Sequence, residues 1–323
     1  MQPVNEANPI AHFEPNRTST WSRFADFSMV NTVHSNNYGF INDLDYDPKG
    51  REPLIAVIGD SYVEATMVPY KETLHGRLST ALESKWRVYS FGVSGAPLSQ
   101  YLVVAQFVRD EFKPNKMVFV VVGNDFDESL RHIKASQGLH LFEQHSNNQL
   151  TLERQDYSPG LLRRILRHSH LALYLFTNAQ IQHFLAALTQ QNKTFVGQTD
   201  ASVSSQRVNK SKQVVDTFFR TLPEASGLPT EEVCFILDGM RPHLYSAKGI
   251  AQADGSYFQQ MRDYFIKIAT SSGYIVTDLQ PAFIQDYAQN GARFEFPRDG
   301  HWNAAGHAIA AQAAVKCLDL NIQ

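Results

Sequence analysis

Four short, mostly apolar runs that end in glycine or in small polar residues constrain this chain more than any other feature. They are "LIAVIG" at 54–59, "WRVYSFGVSG" at 86–95, "KMVFVVVGND" at 116–125 and "EVCFILDG" at 232–239. Runs without a regular polar alternation suit strands covered on both faces, as in a parallel sheet. Helical patterns separate them. "ETLHGRLSTALES" places Leu74, Leu78 and Leu82 on one face, and "LSQYLVVAQFVRDEF" follows the second run. A further helix is expected around 255–271, then a fifth strand in "GYIVTDL" and a last helix after Asn303. Strand and helix alternating with short links predict an α/β fold with a central parallel sheet.

Residues 1–50 are rich in Asn, Pro, Ser and Asp without a sustained period, and read as an irregular N-terminal arm packed on a domain spanning 51–323. Within it "NNYGF" is expected as an ordered loop. The rhythm breaks between about 126 and 230, which reads as a long insertion after the third strand of the sheet. There "GLHLFEQHSNNQLTLERQ" predicts two short strands about a Ser-Asn-Asn turn. Helical segments are expected near 159–168 and 170–190. The polar stretch "GQTDASVSSQRVNKSK" then leads to a helix at "QVVDTFFRTL".

With 323 residues the chain can bury a sizeable core, and a net charge of −3 provides no electrostatic case for nucleic acid as partner. Membrane contact is not indicated: the longest apolar stretch, "LALYLFTNAQIQHFLAAL", carries Asn178, Gln180, Gln182 and His183 and reads as an amphipathic helix. The opening "MQPVNEANPI" has no signal-peptide pattern. Cys234 and Cys317 form no CxxC unit, and their pairing is open. His168, His170 and His307 have no partners at metal-ligand spacing, and no HExxH, P-loop or G-x-S-x-G motif occurs. No metal and no organic cofactor is expected.

In a parallel sheet, ligands bind beyond the carboxyl ends of the strands. Three of those ends carry Gly59-Asp60-Ser61, the turn from Gly92 to Gly95, and Gly123-Asn124-Asp125. A serine at the mouth of a strand can cap the next helix or act as a nucleophile. A nucleophile needs an imidazole to take its proton and a carboxylate to orient that imidazole. "PRDGHWNAAGH" supplies Asp299 and His301, two residues apart, so that in extended chain both side chains leave the same face. The backbone N–H groups of Ser61 and Gly95 and the amide of Asn124 would form an oxyanion hole. Asp60 and Asp125 are expected mainly as structural hydrogen-bonding groups. Tyr62, Asp125, Arg241 and Trp302 flank the site as candidate substrate contacts.

"GDS" after the first strand, the glycine of "GVSGAP", "GND" after the third strand and "DGHWNAAGH" resemble, in order, the four blocks of the SGNH hydrolase superfamily, the GDSL-type esterases and lipases. The blocks span residues 55 to 307. The resemblance implies a flavodoxin-like three-layer α/β/α sandwich and a serine esterase mechanism. Ser61 would be nucleophile and first oxyanion donor, Gly95 and Asn124 the other donors, His301 the base and Asp299 its acid.

Two departures stand out. Val122 occupies the usual first glycine of the third block, and the acid lies two rather than three residues before the histidine, where Arg298 would be. The Asp-x-His-Trp form resembles SGNH-like domains of polysaccharide O-acetyltransferases such as those acting on alginate. The expectation is therefore an esterase acting on a short acyl group, such as acetyl, carried by a glycan or small metabolite. The alternatives are a sugar O-acetyltransferase using the same residues and a catalytically idle carbohydrate-binding domain. The carbohydrate-acting relatives it resembles are commonly exported in bacteria, which would make the protein periplasmic or secreted if a leader precedes this chain, and cytoplasmic otherwise.

Overall fold

The computed structural model describes residues 1–83, 85–160, 169–178 and 194–320. An antiparallel hairpin comes first, β1 (Arg17–Arg23) and β2 (Met29–Ser35). The central sheet follows with β3 (Leu54–Gly59), β4 (Arg87–Gly92) and β5 (Lys116–Val121). Between β5 and the return to the sheet lie two further antiparallel hairpins. The first is β6 (His140–Gln144) with β7 (Leu150–Arg154), the second β8 (Phe195–Val196) with β9 (Thr199–Asp200). The sheet is completed by β10 (Val233–Leu237) and β11 (Ile275–Asp278), and a last small pair joins β12 (Glu295–Phe296) to β13 (Asp299–Trp302).

The five central strands are all parallel, in the order β4-β3-β5-β10-β11. Counting those strands alone, the order is 2-1-3-4-5, the flavodoxin-like doubly wound topology, whose switch point lies between β3 and β5. Every residue of β3 and β10 is buried, as the unbroken apolar runs require. Helices cover both faces. α3 (Leu98–Phe112), α4 (Ser205–Ser226) and α5 (Tyr257–Ser271) pack side by side on one. α2 (Leu74–Ala81) and α6 (Ala304–Cys317) pack together on the other, next to the four-residue α1 (Ser61–Glu64). The result is the α/β/α sandwich.

The arm at 1–50 is not irregular throughout. "RTSTWSR" and "MVNTVHS" pair over seven residues in full register as β1 and β2. Their β-branched residues favour strand, but both faces are polar enough to leave no alternation to read. Further along the arm, Tyr46 closes the free edge of β4. Its hydroxyl donates to the Ser90 carbonyl at 2.6 Å and accepts from the Ser90 N–H at 3.0 Å, while its ring stacks on Tyr89 at 4.1 Å. One side chain thus satisfies backbone groups that an exposed edge strand would offer to another chain. The "NNYGF" loop is ordered around buried Asn36, which accepts from the N–H groups of Tyr38 and Phe40 and donates to the Leu44 carbonyl.

α4 starts at Ser205, well inside the stretch read as polar loop. Ser204 caps it by accepting from the Arg207 N–H, and Val208, Ser211 and Val215 turn inward while the charged residues between them stay at the surface. The helix expected near 159–168 falls almost wholly on residues outside those described. Of the one expected at 170–190, helical turns are present at His170–Leu173 and Tyr174–Asn178, and the remainder lies outside the described residues. Among the described residues no helix is long and apolar enough to cross a membrane.

Cys234 in β10 and Cys317 at the end of α6 form a disulfide, with Cα atoms 6.0 Å apart and a separation of 83 residues along the chain. It ties the last helix to the buried middle of the sheet. A closed loop of that length restricts the unfolded chain strongly, by up to about 4.5 kcal/mol on the chain-entropy account. Replacing both cysteines by alanine should lower the urea midpoint by an amount equivalent to ~2–4 kcal/mol. Addition of dithiothreitol should lower the midpoint of the parent protein and leave the double variant unchanged.

Candidate active site

β3 delivers Ser61 to the rim. Glycines at the paired ends of β3 and β4 allow this: a side chain at Gly92 would collide with the backbone of α1 at Glu64. The question of cap or nucleophile is answered by the residue before it. Asp60 caps α1, its Oδ1 accepting from the Tyr62 N–H at 2.9 Å. The Ser61 hydroxyl is therefore not consumed by the helix end. Its Oγ lies 2.8 Å from His301 Nε2, with a longer contact of 3.3 Å to Asp60 Oδ2.

The other half of the site comes from β13. Asp299 and His301 leave the same face of that strand, and Asp299 Oδ1 receives both the backbone N–H of His301 at 2.9 Å and its ring Nδ1. The tautomer with a proton on Nδ1 satisfies Asp299 and leaves Nε2 free to accept from Ser61. An imidazole placed in this way can take a proton from the hydroxyl and return it to a leaving group.

Asp299 is buried and carries a second partner that the motifs did not reveal. Arg23, at the end of β1, forms an ion pair with its Oδ2. Burial pushes the Asp299 carboxyl up. The hydrogen bond and charge of His301, its backbone N–H and the Arg23 guanidinium outweigh this and hold the carboxyl below the ordinary range. The hairpin is pinned beside the same strand by Arg298, which pairs with Asp26 at 2.7 Å and lies over the Phe24 ring at 4.1 Å. Arg298 thus occupies the position usual for the acid in the resembled motif but faces the hairpin instead.

Gly95 and Asn124 follow the ends of β4 and β5, the two neighbours of β3, so strand spacing of about 5 Å brings both to the Ser61 rim. Gly95 has φ +75°, a left-handed conformation that a side chain would strain. The backbone N–H groups of Ser61 and Gly95 bond to no other group among the described residues. Asn124 donates one amide hydrogen to Glu128 at 3.1 Å, and Glu128 is in turn held by Lys134. The Lys134 ammonium also stands beside Gly95, 3.3 Å from where a Cβ would be. Glu128 and Lys134 were not singled out by any motif; only the fold brings them to this edge.

Tyr62, Asp125, Arg241 and Trp302 do not line the site as expected. They expose between 0 and 6% of their surface. Arg241 is turned into the core, paired with Asp238 at 2.6 Å and donating to the carbonyls of Phe294 and Gly300. Trp302 donates from its indole to Asp238 at 2.9 Å. Tyr62 bonds to the Gly300 carbonyl at 2.9 Å and accepts from Gln198 in the β8–β9 turn. Asp125 accepts from the Val122 N–H and the Tyr101 hydroxyl, and burial pushes its carboxyl well above the ordinary range. Tyr62, Arg241 and Trp302 spend their polar atoms on Asp238, Gln198 and backbone carbonyls, and Asp125 is sealed in the core, so these side chains hold the loops in place and offer no surface to a ligand. Among the described residues no group of His, Cys, Asp and Glu could hold a metal ion.

Among solved structures, the chain is similar to GDSL-type lipases and esterases at low identity. A member of the lipolytic G-D-S-L family from Veillonella parvula matches with a TM-score of 0.41 and 11% identity, over 83% of this chain and 99% of the other. The lipase/acylhydrolase from Enterococcus faecalis matches with a TM-score of 0.43 and 12% identity, over 84% and 98% of the two chains. The acetyl xylan esterase AlAXEase gives a TM-score of 0.44 and 12% identity, over 82% and 99%. No protein-family model matches the sequence, and no curated protein sequence matches it.

The Arg23 contact has a measurable consequence. A carboxyl whose folded pKa is depressed adds stability above its unfolded pKa and loses it as pH falls through the folded value. Arg23→Gln removes one depressing partner, so Asp299 should contribute less at neutral pH. The variant should be less stable than the parent at pH 7, by on the order of 1 kcal/mol. The gap in Tm should narrow as pH falls through the folded value, where the carboxyl takes up its proton in the parent as well. Thermal unfolding of both proteins across pH 2.5–7 measures it.

Proposed function

We propose that this chain is an SGNH-type serine hydrolase that cleaves esters through an acyl-serine intermediate. The observation that carries the reading is the 2.8 Å approach of Ser61 Oγ to His301 Nε2, with the opposite ring nitrogen bonded to a buried carboxylate. Ser61 Oγ attacks the ester carbonyl and its proton passes to His301 Nε2. The carbonyl electrons gather on an oxyanion facing the N–H groups of Ser61 and Gly95 and the remaining amide hydrogen of Asn124. Collapse expels the alkoxide, which takes the proton from His301. Water then attacks the acyl-serine, gives its proton to His301, and the acid leaves as Ser61 is reprotonated.

The substrate we infer is a short acyl group, such as acetyl, on a carbohydrate. The Asp-x-His-Trp form of the last block supports this, and so does the polar lining of the space beside the site. A buried disulfide between β10 and α6 supports maturation in an oxidising compartment.

Ser61→Ala should abolish hydrolysis of p-nitrophenyl acetate, a loss of roughly 10⁴–10⁶-fold, and labelling by a fluorophosphonate, with unchanged circular dichroism. Full activity in that variant would refute the proposal, and an inert wild-type protein would leave a binding domain. Net acylation of an added glycan by an acyl donor would assign the same residues to transfer instead of hydrolysis. Asn124→Ala removes one oxyanion donor and should lower kcat by about 10²–10³-fold with a much smaller change in KM, measured by steady-state kinetics on the same ester.

A further inference from the structure

A cavity of about 500 Å³ lies between the N-terminal hairpin and the segment that follows Ser61. Strand alternation places Arg17, Ser19, Trp21 and Arg23 on one face of β1. Arg23 ends that row on Asp299, and the other three line the cavity. At about 3.4 Å per residue the row extends roughly 20 Å away from Asp299. The facing wall begins at Glu64, one helical turn beyond Ser61, and continues to Thr66. Glu64 also receives the N–H and hydroxyl of Ser94 at 2.7 and 2.8 Å, and Ser94 directly precedes Gly95. Each wall is thus tied to the Ser61 site, one through the Arg23 contact with Asp299 and one through the short helix that begins at Ser61 and the Ser94 that precedes Gly95.

The lining has the chemistry of a sugar subsite. Trp21, only partly buried, offers a ring on which the C–H face of a pyranose can stack, and its indole N–H remains a donor. Glu14, Arg17, Ser19, Glu64 and Thr66 supply hydroxyl, carboxylate and guanidinium groups that match ring hydroxyls. Arg17 is already paired with Glu14 at 4.0 Å, so the lining holds no surplus of positive charge to draw a polyanion. We propose that this cavity is a subsite for an uncharged oligosaccharide, holding the sugars next to the acylated one, with Trp21 as its stacking platform. The proposal rests on the ester-hydrolase reading for the chemistry at Ser61 but not for binding.

The test compares p-nitrophenyl acetate with acetylated xylo-oligosaccharides of two to six sugars, and measures binding of unsubstituted xylohexaose to Ser61→Ala by tryptophan fluorescence and calorimetry. In the wild type kcat/KM should rise with chain length, on the order of tenfold from dimer to hexamer, and in Trp21→Ala the rise should shrink to about twofold or less. If Trp21→Ala fails to fold, Ser19→Trp, which fills the cavity, should flatten the same dependence. Hydrolysis of p-nitrophenyl acetate with no length dependence, or a preference for acetylated oligomannuronates over the neutral series, overturns the subsite and leaves the esterase standing. Loss of all ester hydrolysis in the wild type overturns the esterase instead. Binding of xylohexaose to Ser61→Ala then upholds the subsite, and its absence overturns it.

Discussion

The buried Arg241–Asp238 pair decides where the 294–302 segment can lie, and the rest of the site depends on it. Arg241 belongs to the loop after β10, inside the sheet's own framework, and its guanidinium reaches carbonyls at both ends of the segment, Phe294 and Gly300. Asp238 engages the indole of Trp302, and Tyr62 meets Gly300 from the serine side. Two charges buried this deeply are costly unless each is fully paired, which makes this arrangement intolerant of partial loss. A segment with little regular structure, only a two-residue and a four-residue strand, is thereby held as rigidly as a core element, and His301 is carried with it.

A second constraint acts from the opposite side. The hairpin β1–β2 lies far from β13 in sequence, yet Arg23 completes the surroundings of Asp299 and Arg298 clasps Asp26 and Phe24. Asp299 is thus shared between His301 and Arg23. The arm is part of the site's construction: its strand β1 walls the cavity that Glu64 faces while Tyr46 seals the sheet's edge. The insertion contributes in the same manner, through Gln198 on Tyr62 and through the Lys134–Glu128 pair beside Asn124 and Gly95.

Much of the architecture was legible from local patterns. Unbroken apolar runs named the central strands, because a strand buried on both faces cannot carry polar residues at every second position. "LSQYLVVAQFVRDEF" corresponds residue for residue to α3, since its apolar spacing and the proline before it leave little freedom at either end. The hairpin at 17–35 was not legible, because a strand pair with polar residues on both faces has no periodic signature. The start of α4 was missed for a related reason: its first turns bury only Val208 and Ser211 among polar neighbours. Tyr62, Asp125, Arg241 and Trp302 were placed near the site correctly in the chain but on the wrong side of its surface. Proximity in sequence says nothing about which way a side chain turns.

The sequence by itself determined the alternation of strand and helix, the rim on which small polar residues gather, and the short motifs holding Ser61, Asp299 and His301. These depend on local periodicity and on turn residues whose preferences act over a few positions. Only the tertiary structure decided that Asp60 takes the capping role and releases Ser61, that Arg23 joins Asp299, that Cys234 meets Cys317, and that a cavity opens between the hairpin and Glu64. Each of these is a contact between groups whose separation along the chain carries no information about their separation in space, and only the packing of the whole core supplies it.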